Sequence, residues 1–152
     1  AKPVHLGHAA RADGAWRLYA FADASGKRLR ELAAFLAESP NSPVRRFTPT
    51  AADIDSVIDV RAVFQQPHRE LKVQELPAIL LLRKGSFGLI DYEKAYCPDL
   101  RGGADIFDLR GIDRAKGAIV VVRPDQYVSH VLPLGAHDEL AAFFGQFLLD
   151  RH

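Results

Sequence analysis

The sequence predicts an α/β domain: a mixed central sheet with a C-terminal β-hairpin and helices on both faces. Three observations predict it. A strand, a helix and a second strand follow one another over residues 16–64, an order that gives a parallel pair joined by a right-handed crossover. An apolar hairpin pattern occupies Gly117–Leu134. An amphipathic helix pattern follows from His137.

Residues 1–14 carry two histidines and two glycines with little periodicity, and are expected to be an extended arm or linker ahead of a domain over 15–152. His5 and His8 lie three apart, but no helix is indicated and no third ligand is near, whereas a metal site needs three or four converging ligands. Trp16–Phe21 alternates large apolar and other residues, a strand pattern. Asp23–Gly26 breaks it, and Ser25 is the expected helix cap. Leu29, Leu32, Ala33 and Leu36 then recur at helical spacing, opposite Lys27, Arg28, Arg30 and Glu31. Two prolines, Pro40 and Pro43, end that helix. Arg45 and Arg46 beside Phe47 are expected as a solvated basic turn rather than an anion site, and Thr50–Asp55 as a short helical turn. Ser56–Phe64 is the second strand. Ile58, Val60, Ala62 and Phe64 share its core face, which leaves Asp59 and Arg61 as an exposed pair worth about 0–1 kcal/mol.

Gln65–Glu75 is polar, with a helical turn or loop in its centre. Leu76–Leu82 is the most apolar run outside the hairpin, and two readings stay open: burial within this domain, or cover from outside it. Arg83–Gly88 is a basic glycine turn without the spacing of a phosphate loop. Ile90–Tyr96 suits an irregular edge strand. Cys97 has no strongly positive surroundings to stabilise a thiolate and is expected to be inert. Asp105–Arg110 suits a short helix closed by Gly111. In the hairpin, Ile119–Val122 reads as a strand buried on both faces, Arg123–Gln126 as the turn, and Tyr127–Leu132 as the strand nearer the sheet edge. Leu140, Phe143, Phe144, Phe147 and Leu148 make the apolar stripe of a last helix over His137–Leu149.

Composition excludes several classes of function. The chain has 152 residues, 48% hydrophobic and 26% charged, with net charge +1. That charge gives no field for nucleic acid or an anionic membrane. No apolar run reaches the ~18 residues of a membrane span, and no signal-peptide pattern opens the chain. The single cysteine allows no internal disulfide and no CxxC site, which suits a cytoplasmic protein. No methionine is present, and the sequence opens on Ala1-Lys2-Pro3-Val4; the expectation is a domain excised from a longer protein.

The element order βαβ…αββα is thioredoxin-like. Three stretches also carry a resemblance: DVRAVFQQPHREL (59–71), KGSFGLIDYEKAYCPDL (84–100) and RGIDRAKGAIVVVRPDQYVSHVLPL (110–134). They resemble the C-terminal domain of flavin-dependent aromatic hydroxylases, the phenol 2-monooxygenase family. The resemblance implies that FAD-binding and substrate domains elsewhere in the same chain carry the chemistry. There NADPH reduces the flavin, and a flavin hydroperoxide hydroxylates a phenolic ring such as that of 3-hydroxybenzoate. It also implies that the thioredoxin-like domain contributes to a homodimer. No catalytic, cofactor-binding or metal-binding residue is then expected in this stretch, and it contains no GxGxxG. Candidate interface residues are Leu76, Ile79, Leu80, Leu82 and Phe87, with Tyr92 and Tyr96, because aromatic residues and few charges suit interface cores. Two alternatives remain at this stage. An independent thioredoxin-like redox protein would need its cysteine where the first strand meets the first helix; Asp23–Lys27 has no sulfur there, and Ser25 has no visible base and orienter. A domain gating aromatic substrate access is the other, with no residues assigned to it.

Overall fold

The computed structural model describes residues 3–99, 101, 103 and 105–151; residues 1, 2 and 152 of the expected arm and domain lie outside these. The chain opens with a single helical turn, α1 (Leu6–Ala9), where the sequence analysis expected extended chain. Then come β1 (Trp16–Phe21), α2 (Lys27–Glu38), α3 (Pro43–Phe47) and β2 (Ile58–Val63). Two single 3-10 turns, Val73–Glu75 and Ala78–Leu80, lead to the small hairpin β3 (Arg83–Lys84) and β4 (Leu89–Ile90). The remainder is β5 (Ala95–Tyr96), α4 (Ile106–Arg110), β6 (Ala118–Val122), β7 (Val128–Leu132) and α5 (His137–Gly145).

Five strands form one mixed sheet in the order β5-β2-β1-β6-β7. β1 is its centre, parallel to β2 and antiparallel to β6. β5 lies parallel to β2 at one edge, and β7 antiparallel to β6 at the other. The topology is the one expected of the thioredoxin-like order, with β3–β4 as a separate two-stranded piece.

The main core lies on one face of this sheet. Leu18, Ala20, Ile58, Val60, Ala62, Ile119 and Val121 meet the α2 stripe of Leu29, Leu32, Ala33 and Leu36, and the Leu140 and Phe144 side chains of α5. The four α2 residues are those that helical spacing selects, because burying one continuous stripe is what stabilises a surface helix. Val44 and Phe47 of α3 join the same core, so the turn expected to be solvated buries its apolar side. Its Arg46 forms a two-point ion pair with Asp150, at 2.9 and 3.2 Å. The segment Thr50–Asp55 forms turns rather than a helix. The opposite face of the sheet carries a smaller cluster of Tyr19, Phe21, Val63 and Phe107, against which Leu6, Val120 and Val122 pack.

Two boundaries differ from the sequence reading. α5 stops at Gly145 rather than Leu149. Glycine weakens a helix interior, and the Arg151 amide donates to Arg46 O (3.0 Å), which draws the tail toward α3. Leu148 still packs on the core, while Phe147 stacks on Trp16 at 5.0 Å and stays half-exposed. β6 is buried most deeply at Ile119 and Val121, which face the main core; Ala118, Val120 and Val122 are half-covered.

Gly117 is the tightest point of the fold. It has φ +66°, and a Cβ there would stand 2.3 Å from Phe21 O and 2.8 Å from Asp23 N. Both obstacles are backbone, so neither can swing aside. Gly117→Ala is expected to cost about 3 kcal/mol or more from the left-handed backbone and the clash together. Urea unfolding of the variant measures this; a loss below about 1 kcal/mol would show that the β1–β6 junction relaxes.

Candidate association surface and the charge network beneath it

Asp59 and Arg61 do not form the exposed pair expected from alternation. They are 5% and 8% exposed. The alternation itself holds: both point away from the main core. The face they point to is covered by the arm and β5 instead of water. Asp59 lies opposite Arg17 in the β1–β2 register, and Arg61 opposite Tyr19.

Three cations converge on Asp59. Arg17 Nε is 3.1 Å and Arg61 Nε 2.8 Å from Oδ2, and Lys94 Nζ bonds Oδ1. Lys94, 1% exposed, also pairs with Asp55 at 2.6 Å. Lys84 of β3 meets the same Asp55 oxygen at 2.6 Å and Asp91 at 3.0 Å. Arg17 continues to Asp13 at 2.9 Å. Four cations (Arg17, Arg61, Lys84, Lys94) thus face four carboxylates (Asp13, Asp55, Asp59, Asp91), and the cluster is neutral overall.

Burial alone would raise the Asp55 carboxyl, but hydrogen bonds and charge from Lys84 and Lys94 outweigh it and hold it below the ordinary range. Burial works the same way at Asp91, where the Glu93 amide and Lys84 overcome it. Burial would lower the Lys84 ammonium; Asp55 and Asp91 raise it instead.

The network ties three remote segments to the sheet. Arg61 Nη1 donates to Ala9 O (3.1 Å) and to Tyr96 Oη (2.7 Å), and Arg17 Nη2 donates to Arg11 O (3.0 Å). Tyr19 Oη donates to Leu6 O (3.3 Å), so the arm lies on the sheet. Tyr96 Oη in turn donates to Glu93 O (2.8 Å). Through Lys84 the β3–β4 hairpin is fixed from its base, and Arg83 Nη1 donates to Gly88 O (3.0 Å) across its loop. Gly85 and Gly88 supply the positive φ that this tight loop needs, at +67° and +60°.

That hairpin separates the candidate interface residues. Ile79 and Leu80 are buried in the chain's own core, with Leu76 packed against them, which answers the open question about Leu76–Leu82 for these positions. Leu82 is half-buried, and Tyr96 is held by the charge network. Phe87 at the hairpin tip is 87% exposed, and Tyr92 61%. Leu89, not among the expected residues, joins them at 70%. The signal for Leu89 was present: two glycines with Phe87 between them mark a hairpin tip, and the residue after the tip shares its exposure.

The remaining sequence candidates are inert or structural. At the start of α2, Gly26 holds the N-cap position, and the expected first-turn contact of Ser25 is joined by a second one from Asp23. Asp23 Oδ1 accepts from the Leu29 amide (3.2 Å), and its Oδ2 accepts from Ser25 Oγ (2.6 Å). Ser25 Oγ also accepts from the Lys27 amide at 3.2 Å. A carboxylate therefore lies at the positive end of α2, where it is favourably placed. Burial pushes the half-buried Cys97 thiol up, which disfavours the reactive thiolate. His5 and His8 meet edge to face at 5.4 Å, and among the described residues no group of three or more histidine, cysteine or acidic side chains is placed to hold a metal ion.

Residues 1–152 match the model of the family described as "Phenol hydroxylase, C-terminal dimerisation domain". The chain belongs to this family. It is 54% identical over 154 residues to a 3-hydroxybenzoate 4-monooxygenase of Comamonas testosteroni, covering 97% of this chain and 24% of the relative. It is 33% identical over 156 residues to the FAD-dependent monooxygenase terD of Aspergillus terreus, covering 97% of this chain and 25% of that protein. The dimerisation domain thus spans about a quarter of the length of these relatives. A thioredoxin-like protein from Parabacteroides distasonis superposes with TM-score 0.44 at 10% identity, covering 89% of this chain and 83% of that one.

Two outcomes follow for the network in this dimerisation domain. Asp59→Asn leaves Arg17, Arg61 and Lys94 without their shared charge and is expected to cost about 3–5 kcal/mol in denaturant unfolding; a loss under about 1 kcal/mol would show that water replaces the carboxylate. The depressed Asp13, Asp55 and Asp91 carboxyls give stability that is complete above their unfolded value of about 3.9. It is lost as pH falls through their lower folded values. Stability should therefore fall with pH below about 4, and Asp55→Asn should flatten that slope in acid titrations followed by circular dichroism.

Proposed function

We propose that this chain is the non-catalytic part through which two copies of a flavin-dependent aromatic hydroxylase associate. The family match and the two monooxygenase relatives support the parent activity. The parent is a cytoplasmic enzyme that hydroxylates 3-hydroxybenzoate or a related phenol with FAD, NADPH and O2. FAD and NADPH bind in the other domains of the same chain. Among the described residues, no helix is long and apolar enough to cross a membrane.

One observation carries the association surface: the β3–β4 hairpin presents Phe87 and Leu89, with Tyr92 just beyond it, on a base fixed by Lys84, Asp55 and Asp91. Exposed aromatic residues on a rigid support lose little conformational freedom on binding, which is what makes an anchor residue effective. Leu82 is half-buried, Tyr96 is held by the charge network, and Ile79, Leu80 and Leu76 belong to the domain's own core.

Sedimentation of the full-length enzyme tests this. Phe87→Asp with Leu89→Asp is expected to weaken the dimer by about 30-fold or more, as removal of an anchor contact does. Flavin content should be unchanged. A dimer of unaltered affinity in the double variant would remove the hairpin from the interface.

A further inference from the structure

The two edges of the main sheet differ in chemistry. β5 is two residues long, preceded by buried Lys94 and followed closely by Pro98, features that discourage strand pairing. β7 reads VSHVL, five residues with no formal charge and no proline. The β6–β7 register shifts between Val121 and Val122: Val120 faces Val131, but Val122 faces Val128. Strict alternation would send positions 128 and 131 to opposite faces. The extra residue of a bulge on β7 instead sets both opposite valines of the second sheet face. Val120 and Val122 are half-buried there, whereas Val128 and Val131 are 62% and 56% exposed. The two valines thus stand side by side on one face, opposite Val122 and Val120, as an exposed apolar strip.

The path of the arm says what lies near this patch. Leu6 packs on the same second-face cluster as Val120 and Val122. Gly7 sits against the hairpin turn: a Cβ there would stand 3.6 Å from Gln126 Oε1. The matched family is a C-terminal domain, and the relatives are about four times as long as this chain.

We propose that, in the full-length protein, the β7 edge and its valine face are covered by the preceding part of the same polypeptide. The β3–β4 hairpin, on the β5 side, is then left for the second copy. This rests on reading the chain as the C-terminal domain of a larger hydroxylase. A tether of a few residues holds the preceding part beside β7 at an effective concentration in the millimolar range, so a small uncharged patch suffices. Association between separate molecules has no such help and needs an anchor such as Phe87.

Hydrogen exchange and limited proteolysis of the full-length enzyme test the assignment. Amides of β7 without a partner in this domain should exchange about tenfold or more slowly than those of the hairpin loop 85–88. Val128→Asp with Val131→Asp should raise β7 exchange and cleavage within residues 3–14 by about tenfold, while the dimer and the flavin are retained. Fast β7 exchange in the unaltered enzyme overturns the proposal. So does a double variant that changes neither readout, and so does one that dissociates the dimer, which would give β7 to the second copy. If the enzyme proves monomeric or flavin-free before any substitution, the parent reading fails instead.

Discussion

Asp59 is a buried carboxylate on β2, and segments from across the second face of the sheet converge on it as partners. An ionised carboxylate removed from water without partners is untenable. Arg17 and Arg61 come from the adjacent strand and from two residues on, so β-sheet geometry supplies them directly. Lys94 does not come from the sheet's own alternation. It must be delivered by the segment entering β5, and its other contact is Asp55 in the turn before β2. Each further ion needs its own partner, so the chain of pairs runs outward to Asp13 in the arm and to Lys84 and Asp91 at the hairpin. Buried ion pairs add little net stability over a well-packed apolar core. What this one supplies is geometry: arm, edge strand and hairpin are each held by an interaction that fails if they shift.

The two faces of the sheet therefore follow different physics. On the face covered by α2 and α5, burial of a continuous apolar stripe suffices, and many hydrophobic substitutions of equal volume would be tolerated. On the other face, Tyr19, Phe21, Val63 and Phe107 give only a small apolar cluster, and directional contacts do the rest. Those contacts are specific in a way that apolar contacts are not, which suits the side of the domain that carries both the arm and the proposed association hairpin.

This division also explains what was legible in the sequence. The α2 stripe, the short helix capped by Asp105 and closed by Gly111, and the apolar hairpin are set by local spacing, and local spacing is what a sequence displays. The Asp59–Arg61 alternation was legible too, but not what would cover that face. No periodicity links Asp59 to Lys94, 35 positions away, or Arg61 to the Ala9 carbonyl, 52 positions away. The same limit applied to Leu76–Leu82. Its composition indicated burial, but whether its own domain or a neighbour supplied the cover depends on where the chain returns. The Ser25 contact with the first turn of α2 was legible, but not the second one from Asp23, which reaches past Ser25 to the Leu29 amide.

The same accounting of polar groups applies where β1 gives way to α2. A cleft of about 240 Å³ opens there. Several of its polar groups are engaged in hydrogen bonds or ion pairs within the domain. Asp23 accepts from the Leu29 amide and from Ser25 Oγ; Gln65 Nε2 spans Ala22 O and Arg114 O at 2.8 and 2.7 Å; Lys72 pairs with Glu75 at 2.9 Å. A group held in a buried hydrogen bond has to break it before it can bind anything else. With that end satisfied internally, the apolar groups open to solvent matter more. Phe87 and Leu89 stand on the hairpin, and Val128 and Val131 on the β7 edge. The dimerisation domain thus turns its unmet apolar contacts outward.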